Sequence, residues 1–368
     1  MASETSPTEL TLNVGPQHPS THGVFRVIVR TEGEIVQAAE PVIGYLHRCF
    51  EKLAEERTYA QVVPLVDRLD YAAAITNEWA YVRAVEDLSG IEVPERAEVL
   101  RVLVAELQRI ASHLLGLGAT ANDLGATTAF LYLLRARERA FELFEELTGA
   151  RLTYNYLRIG GVARDLPPGF EDKLRAFAGE VRATADEYRR LVLENRIFQA
   201  RTQGVGVLPA ELAQRLGTSG PVLRASGVSW DLRKNRPYSI YGRLEFEVPV
   251  GRAGDCYERT VLRVKELGES SRLLEQLLDL LPPGEIRTKV PGSLRPSAGS
   301  VYSALESPRG EVGVYLVSDG GPKPYRLKWQ APSFNNLQVL SRVAPGQRLA
   351  DLVAILGSLD PLMGEVER

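Results

Sequence analysis

Apolar residues along this chain recur with one period near its two ends and with another in between, and this double change constrains the fold more than any other feature. Leu10, Leu12 and Val14 alternate with polar residues, and the alternation continues from Val24 to Thr31 and, past Gly33, from Ile35 to Ala39. That is the pattern of a small antiparallel sheet over residues 8–40. After Pro41 the spacing becomes helical. Tyr71, Ile75, Trp79, Val82 and Val85 form one stripe, and Leu100, Leu103, Leu107, Ile110 and Leu114 form a second. Two long helices must bury those faces against each other. A third helix is expected between Leu124 and Thr148 with Gly149 as its C-terminal cap, a fourth from about Glu171 to Asn195, and a fifth from about Asp255 to Leu281, stopped by Pro282-Pro283-Gly284. Residues 285–300 read as a surface loop. Glu311 to Ser318 and Tyr325 to Trp329 return to strand spacing around Asp319-Gly-Gly-Pro and are expected to complete the N-terminal sheet. Leu349 to Leu356 should add a short helix, and Asp360 to Arg368 an irregular end. The expectation is an α+β fold in one domain, 1–368: a sheet (8–40), a central bundle of long helices (41–284), and C-terminal strands and tail (301–368).

Composition narrows the function classes. With 44% hydrophobic and 25% charged residues the chain is globular, and a net charge of -3 with Lys and Arg spread along it leaves no nucleic-acid footprint. Cys49 and Cys256 are the only cysteines, too few for a disulfide framework or a four-thiolate site. A reducing compartment follows. The first ten residues lack the features of a signal peptide, so the chain is expected to stay where it is made. No window approaches the roughly 18 apolar residues of a membrane span, so membrane contact is expected through partners.

Four histidines are present, and Gly15-Pro-Gln-His-Pro-Ser-Thr-His-Gly23 carries two of them, His18 and His22. Two prolines exclude helix and central strand there, so a loop presents both side chains. They either handle protons, for which imidazole is suited, or only hydrogen-bond the backbone. Asp67 and Asp70 in Asp67-Arg-Leu-Asp-Tyr71 suit the N-cap and first turn of the helix that follows. Tyr71 combines a packing ring with a phenolic donor. Asp123, in Asn122-Asp-Leu-Gly125 between two apolar helices, is a candidate buried carboxylate needing a partner. Gly44-Tyr-Leu-His-Arg-Cys-Phe-Glu-Lys52 puts His47 and Arg48 at a helix start with no role read from spacing alone. His113 reads as a satisfied core histidine. Gly204-Val-Gly206 lacks a dinucleotide fingerprint, and Walker, zincin and nucleophile-elbow motifs are absent.

GPQHPSTHG, GYLHRCFEK, DRLDY, NDLGATT, YLRIGGV, LRASGV, SDGGPKPYR, APSFNNLQ and DPLMGEVER, in this order, resemble the 49 kDa (D-type) subunit family of the proton-translocating NADH:quinone oxidoreductases, from about Thr11 to Arg368. That family is similar to the large subunit of nickel-iron hydrogenases. The hydrogenase metal motifs correspond here to Asp70, Ala73, Leu362 and Glu365, so the resemblance implies a metal cavity turned into a quinone cavity. It implies that His22 and Tyr71 hydrogen-bond the quinone, that Asp123 partners His22, and that Arg48 lies near the terminal four-iron cluster of a partner subunit. Quinone would be the substrate. No metal or cluster would be bound by this chain, and NADH, FMN and iron-sulfur clusters would sit in partners. Those partners would be the iron-sulfur subunit carrying the terminal cluster, a 30 kDa-type (C-type) subunit, a ferredoxin-like subunit and the H-type subunit of the membrane arm. The chain would be peripheral, on the cytoplasmic side of the inner membrane. A related complex fed by ferredoxin or reduced F420 is the alternative, decided by other subunits. Two departures stand out: Cys49 where many members have glycine, and a short loop between Lys289 and Glu306.

Overall fold

The structure, a computed structural model, describes residues 9–17 and 23–368. His18 and His22 therefore lie outside the described residues. The N-terminal sheet forms as the alternation predicts: β1 (Glu9–Val14), β2 (Arg26–Glu32) and β3 (Ile35–Val42) pair antiparallel in that order, with Leu12 opposite Val29 and Val29 opposite Ala39. Gly33, at φ +60°, turns the β2–β3 hairpin. Val27, Val29, Val36 and Ala39 are buried on one face.

Two short helices follow, α1 (Phe50–Glu55) and α2 (Tyr59–Val66), and then the long ones: α3 (Ala74–Ser89), α4 (Glu95–Asp123), α5 (Thr127–Thr148) and α6 (Phe170–Tyr188). Two-residue strands β4 (Leu157–Arg158) and β5 (Gly161–Val162) pair between α5 and α6. Gly149 ends α5 at φ +83°, as expected. The fourth expected helix ends as α at Tyr188 and continues as a π turn over Arg189–Leu193. Four short helices, α7 (Arg196–Thr202), α8 (Ala210–Arg215), α9 (Gly220–Ala225) and α10 (Leu232–Asn235), lead to α11 (Cys256–Asp279). There the Asp255 carboxylate caps the helix by accepting from Glu258 N at 2.8 Å.

Helix α4 is the axis of the bundle: α3, α5, α11 and the C-terminal helix α14 (Asp351–Leu359) all pack on it, and nearly every residue from Ala97 to Ala121 is buried. A helix covered on all sides must satisfy its polar residues internally. His113 does so at one nitrogen only: it is a core histidine whose Nε2 lies 2.7 Å from Glu266 Oε2, while its buried Nδ1 has no partner among the described residues, and burial pushes the imidazole below its ordinary range.

The structure departs from expectation in three ways. β6 (Gly299–Ser307), β7 (Gly310–Ser318) and β8 (Arg326–Gln330) form a separate antiparallel sheet and pair with none of the described residues of the N-terminal sheet. The reason is that β7 sits in the middle. Its two edges are filled by β6 and β8, and β6 begins inside what composition marked as loop. What reaches the first sheet is a later segment: Gly346 N donates to Val36 O and Val36 N to Gln347 O, each at 2.8 Å, and Ile35 bridges Arg348. Second, Tyr71 is not part of the α3 stripe. The chain turns sharply before α3, with Asp70 Oδ1 accepting from Ala72 N at 3.0 Å and Ala73, not an aspartate, at the N-cap position. Third, the tail is not irregular, and it is buried. After α12 (Pro332–Leu337) and α13 (Leu340–Val343), α14 and then α15 (Met363–Glu367) run through the interior, and Leu359 to Glu367 are all buried.

Candidate functional site

The buried tail meets the turn between α2 and α3. Gly364 packs so tightly on that turn that a Cβ there would stand 2.6 Å from Leu69 O. The DRLDY and DPLMGEVER stretches, far apart in sequence, are therefore neighbours. Arg309, in the two-residue turn between β6 and β7, joins them. Its Nη1 donates to Asp70 Oδ2 at 2.8 Å and to Ser112 Oγ of α4 at 3.0 Å, its Nε to Asp360 O at 2.9 Å, and its Nη2 to Asp360 Oδ1 at 3.3 Å. Asp360 takes a left-handed backbone at φ +52°, and its carboxylate lies against Gly116, where a Cβ would be 2.9 Å from Oδ2. Arg263 approaches the same carboxylate at 4.0 Å.

This cluster holds three carboxylates and two guanidiniums, all buried. Burial works against the Arg309 charge, but Asp360 and Asp70 hold it firmly protonated. Glu365 has no cation within ion-pair distance among the described residues, and Ser333 N donates to its Oε1 at 3.1 Å. Burial first, and then the Asp70 charge, push its carboxyl up to about 8. Glu365 is thus a neutral acid below that pH, and the cluster balances. Ala73 and Leu362, like Asp70 and Glu365, are buried. Asp67 does not cap a helix N-terminus either; it is the residue that ends α2. It is buried beside Glu78, and its Oδ2 accepts from Asn155 N at 3.1 Å.

Tyr71 sits on the open side of the cluster, 45% exposed. Partial burial raises its phenol above the ordinary value, while Arg309 and Arg137 pull it down. Asp123, the last residue of α4, is half-buried rather than buried. His22 lies outside the described residues, and its expected pairing with Asp123 falls outside them too. Arg48 is exposed and anchored: its Nη2 donates to Arg68 O at 2.6 Å and its N to Arg368 O at 3.2 Å. Through Arg68 it touches the same turn that carries Tyr71. Beside it a cleft of about 430 Å³ is lined by Gly44, His47, Cys49, Lys52 and Arg368, among others. Cys49 adopts φ +55°, the left-handed conformation that glycine takes without strain, which explains why glycine suits this position.

Sequence reasoning missed Arg309 and Arg137. Arg309 carries no local signal, because its partners lie 239 residues upstream and 51 downstream. Among the described residues no three His, Cys, Asp or Glu side chains form a metal-binding group, and no helix is long and apolar enough to cross a membrane.

Comparison with known proteins agrees in one direction. The sequence pattern of the family described as "Respiratory-chain NADH dehydrogenase, 49 Kd subunit" matches residues 123–296 and 289–368. The D-type subunit of the NADH-quinone oxidoreductase of Desulforamulus reducens is 52% identical over 359 residues, 98% of each chain. A second-copy D-type subunit of Symbiobacterium thermophilum is 53% identical over 98% of each, and the D-type subunit of Geobacillus kaustophilus 52% identical over 98% of each.

Proposed function

Because the chain belongs to the family of the 49 kDa subunit of respiratory-chain NADH dehydrogenase and is a subunit of an NADH-quinone oxidoreductase, we propose that the Tyr71 turn and the buried tail form its part of the quinone site. The observation that carries this reading is the meeting of the DRLDY turn with the DPLMGEVER tail around Arg309, with buried carboxylates at Asp70, Asp360 and Glu365 and Tyr71 on the open side. Tyr71 donates to one quinone oxygen. His22, charged and oriented by Asp123, donates to the other. Reducing a quinone takes two electrons and two protons, and donors at both oxygens stabilise the negative charge as it develops. The electrons come from the terminal four-iron cluster of the iron-sulfur partner, on the side where Arg48 is anchored. The 30 kDa-type, ferredoxin-like and membrane-arm partners complete the assembly, which keeps this chain peripheral, at the cytoplasmic face of the inner membrane. The 1–368 chain acts as one domain.

The test uses the assembled complex. Tyr71→Phe, His22→Ala and Asp123→Asn should each leave cluster reduction by NADH intact and slow electron transfer to quinone by roughly tenfold to a hundredfold, the worth of one lost polar contact of about 1–3 kcal/mol. Wild-type quinone reductase rates in these variants, at limiting and at saturating quinone, would remove the site from this chain.

A further inference from the structure

The charges around Tyr71 are balanced except for one. Asp70 of its own turn, Arg309 from the β6–β7 turn, Asp360 from the end of α14 and Arg137 from α5 all act on the phenol. The first three form one ion-paired set. Arg137 stands apart from it. The guanidinium of this half-buried side chain lies on the Phe141 ring, 4.2 Å from its centroid, and its Nε donates to Ala111 O of α4 at 3.2 Å. Arg309 is held by Ser112, the next residue of the same helix. The two cations therefore meet α4 at adjacent positions and repel each other, but only Arg309 has carboxylates. Among the described residues no carboxylate lies within ion-pair distance of Arg137; Tyr154, Tyr71 and the adjacent Glu138 favour its charge, while Arg151, over the same Phe141 ring at 5.5 Å, takes Glu138 and Glu145 as its own partners. Burial disfavours its charge. Withdrawing a guanidinium from water without a counter-charge is costly, and the cost is offset when an anion forms within its reach.

We propose that Arg137 is a further working residue of this site, whose guanidinium stabilises the Tyr71 phenolate formed when the phenol passes its proton to the quinone. The inference rests on the reading of Tyr71 as a quinone ligand. In the step, electrons from the partner's iron-sulfur cluster enter the quinone, the Tyr71 O–H bond breaks as an O–H bond forms on the quinone oxygen, and the negative charge passes from that oxygen to the phenolate. Water then returns a proton to Tyr71. Arginine suits the task, because it stays protonated at any working pH and presents donors in a fixed plane. Its charge contributes only once the phenolate exists, so it acts on turnover more than on quinone binding.

The experiment compares Arg137→Met, Arg137→Lys and Tyr71→Phe in the assembled complex, with cluster reduction by NADH as the measure of assembly. Arg137→Met keeps the packing on Phe141 and loses the charge. It should lower kcat for quinone by roughly tenfold or more with little change in KM. Removing the cation makes the phenol less acidic, so the alkaline limb of the kcat–pH profile should move to higher pH. Arg137→Lys should restore most of the rate and the wild-type limb, which a packing role would not do. In a Tyr71→Phe background, Arg137→Met should cost little more. If Met at this position prevents assembly, Arg137→Gln, which retains a donor for Ala111 O, is read by the same criteria. A wild-type kcat and pH profile in the uncharged variant, beside a slow Tyr71→Phe, would overturn the role of Arg137 alone. Wild-type rates in Tyr71→Phe would overturn the reading of the site itself.

Discussion

Glu365→Gln is the most direct probe of the charge balance beneath Tyr71. Glu365 is buried with no cation of its own among the described residues, and its carboxyl is pushed up to about 8 by burial and by Asp70. In the unfolded chain it would titrate near 4.3, so between these values the folded state holds a proton that the unfolded state releases. The sign follows. The stability from this group is full below about pH 4.3, falls as pH rises, and levels off above about 8. At about 1.4 kcal/mol per pH unit, tapering near the folded value, the loss between pH 6 and pH 8 is roughly 2 kcal/mol. Glutamine keeps an oxygen to accept from Ser333 N and carries no proton to lose, so the variant should match the wild type within about 1 kcal/mol at pH 6 and exceed its stability above pH 8. Hydrogen exchange of the assembled complex reads this locally. In the wild type, protection of residues 360–367 and 67–73 should weaken between pH 6 and pH 8 beyond the intrinsic rate change, whereas in Glu365→Gln it should stay level. A variant that follows the wild-type decline would mean that the proton resides elsewhere in the cluster.

Arg309→Met should cost about 3–5 kcal/mol, because it leaves Asp70 and Asp360 buried without their shared cation, and assembled complex should become scarce. Adding Asp70→Asn should recover part of that loss on native gels, and no recovery would argue against the pairing. Cys49→Gly should raise the melting temperature of the complex by relieving a left-handed backbone, a gain of about 1 kcal/mol, and a lower melting point would show that the thiol makes a contact worth more than the strain.

Much of the fold was legible because local spacing records which face of an element is covered. The alternation at Leu12, Val27 and Val29 identified the first hairpin, and the stripes through Trp79 and Leu107 identified α3 and α4. Gly149 closed α5 and α11 began beside Asp255, both where expected. The family motifs named Tyr71, Asp123 and Arg48, because a resemblance carries positions without needing their geometry. Spacing failed where the outcome depended on which elements meet. Whether β7 would join β1–β3 or build its own sheet depended on β6, whose Ser303 and Gly299 dilute the apolar alternation that would have marked it as a strand. The tail read as an irregular end, because its length and its final acidic residues say nothing about the interior waiting for it.

Local spacing and motifs were enough for the long helices, the first sheet, the absence of thiols at Asp70, Ala73, Leu362 and Glu365, and the family. Only the folding of distant segments together could make Arg309 balance Asp70 and Asp360, leave Glu365 holding a proton, and put Arg137 against α4 beside the Arg309 contact without a carboxylate of its own. Periodicity is a property of neighbours along the chain. Charge balance in a buried site is a sum over groups hundreds of residues apart, and it exists only once the chain has closed around them.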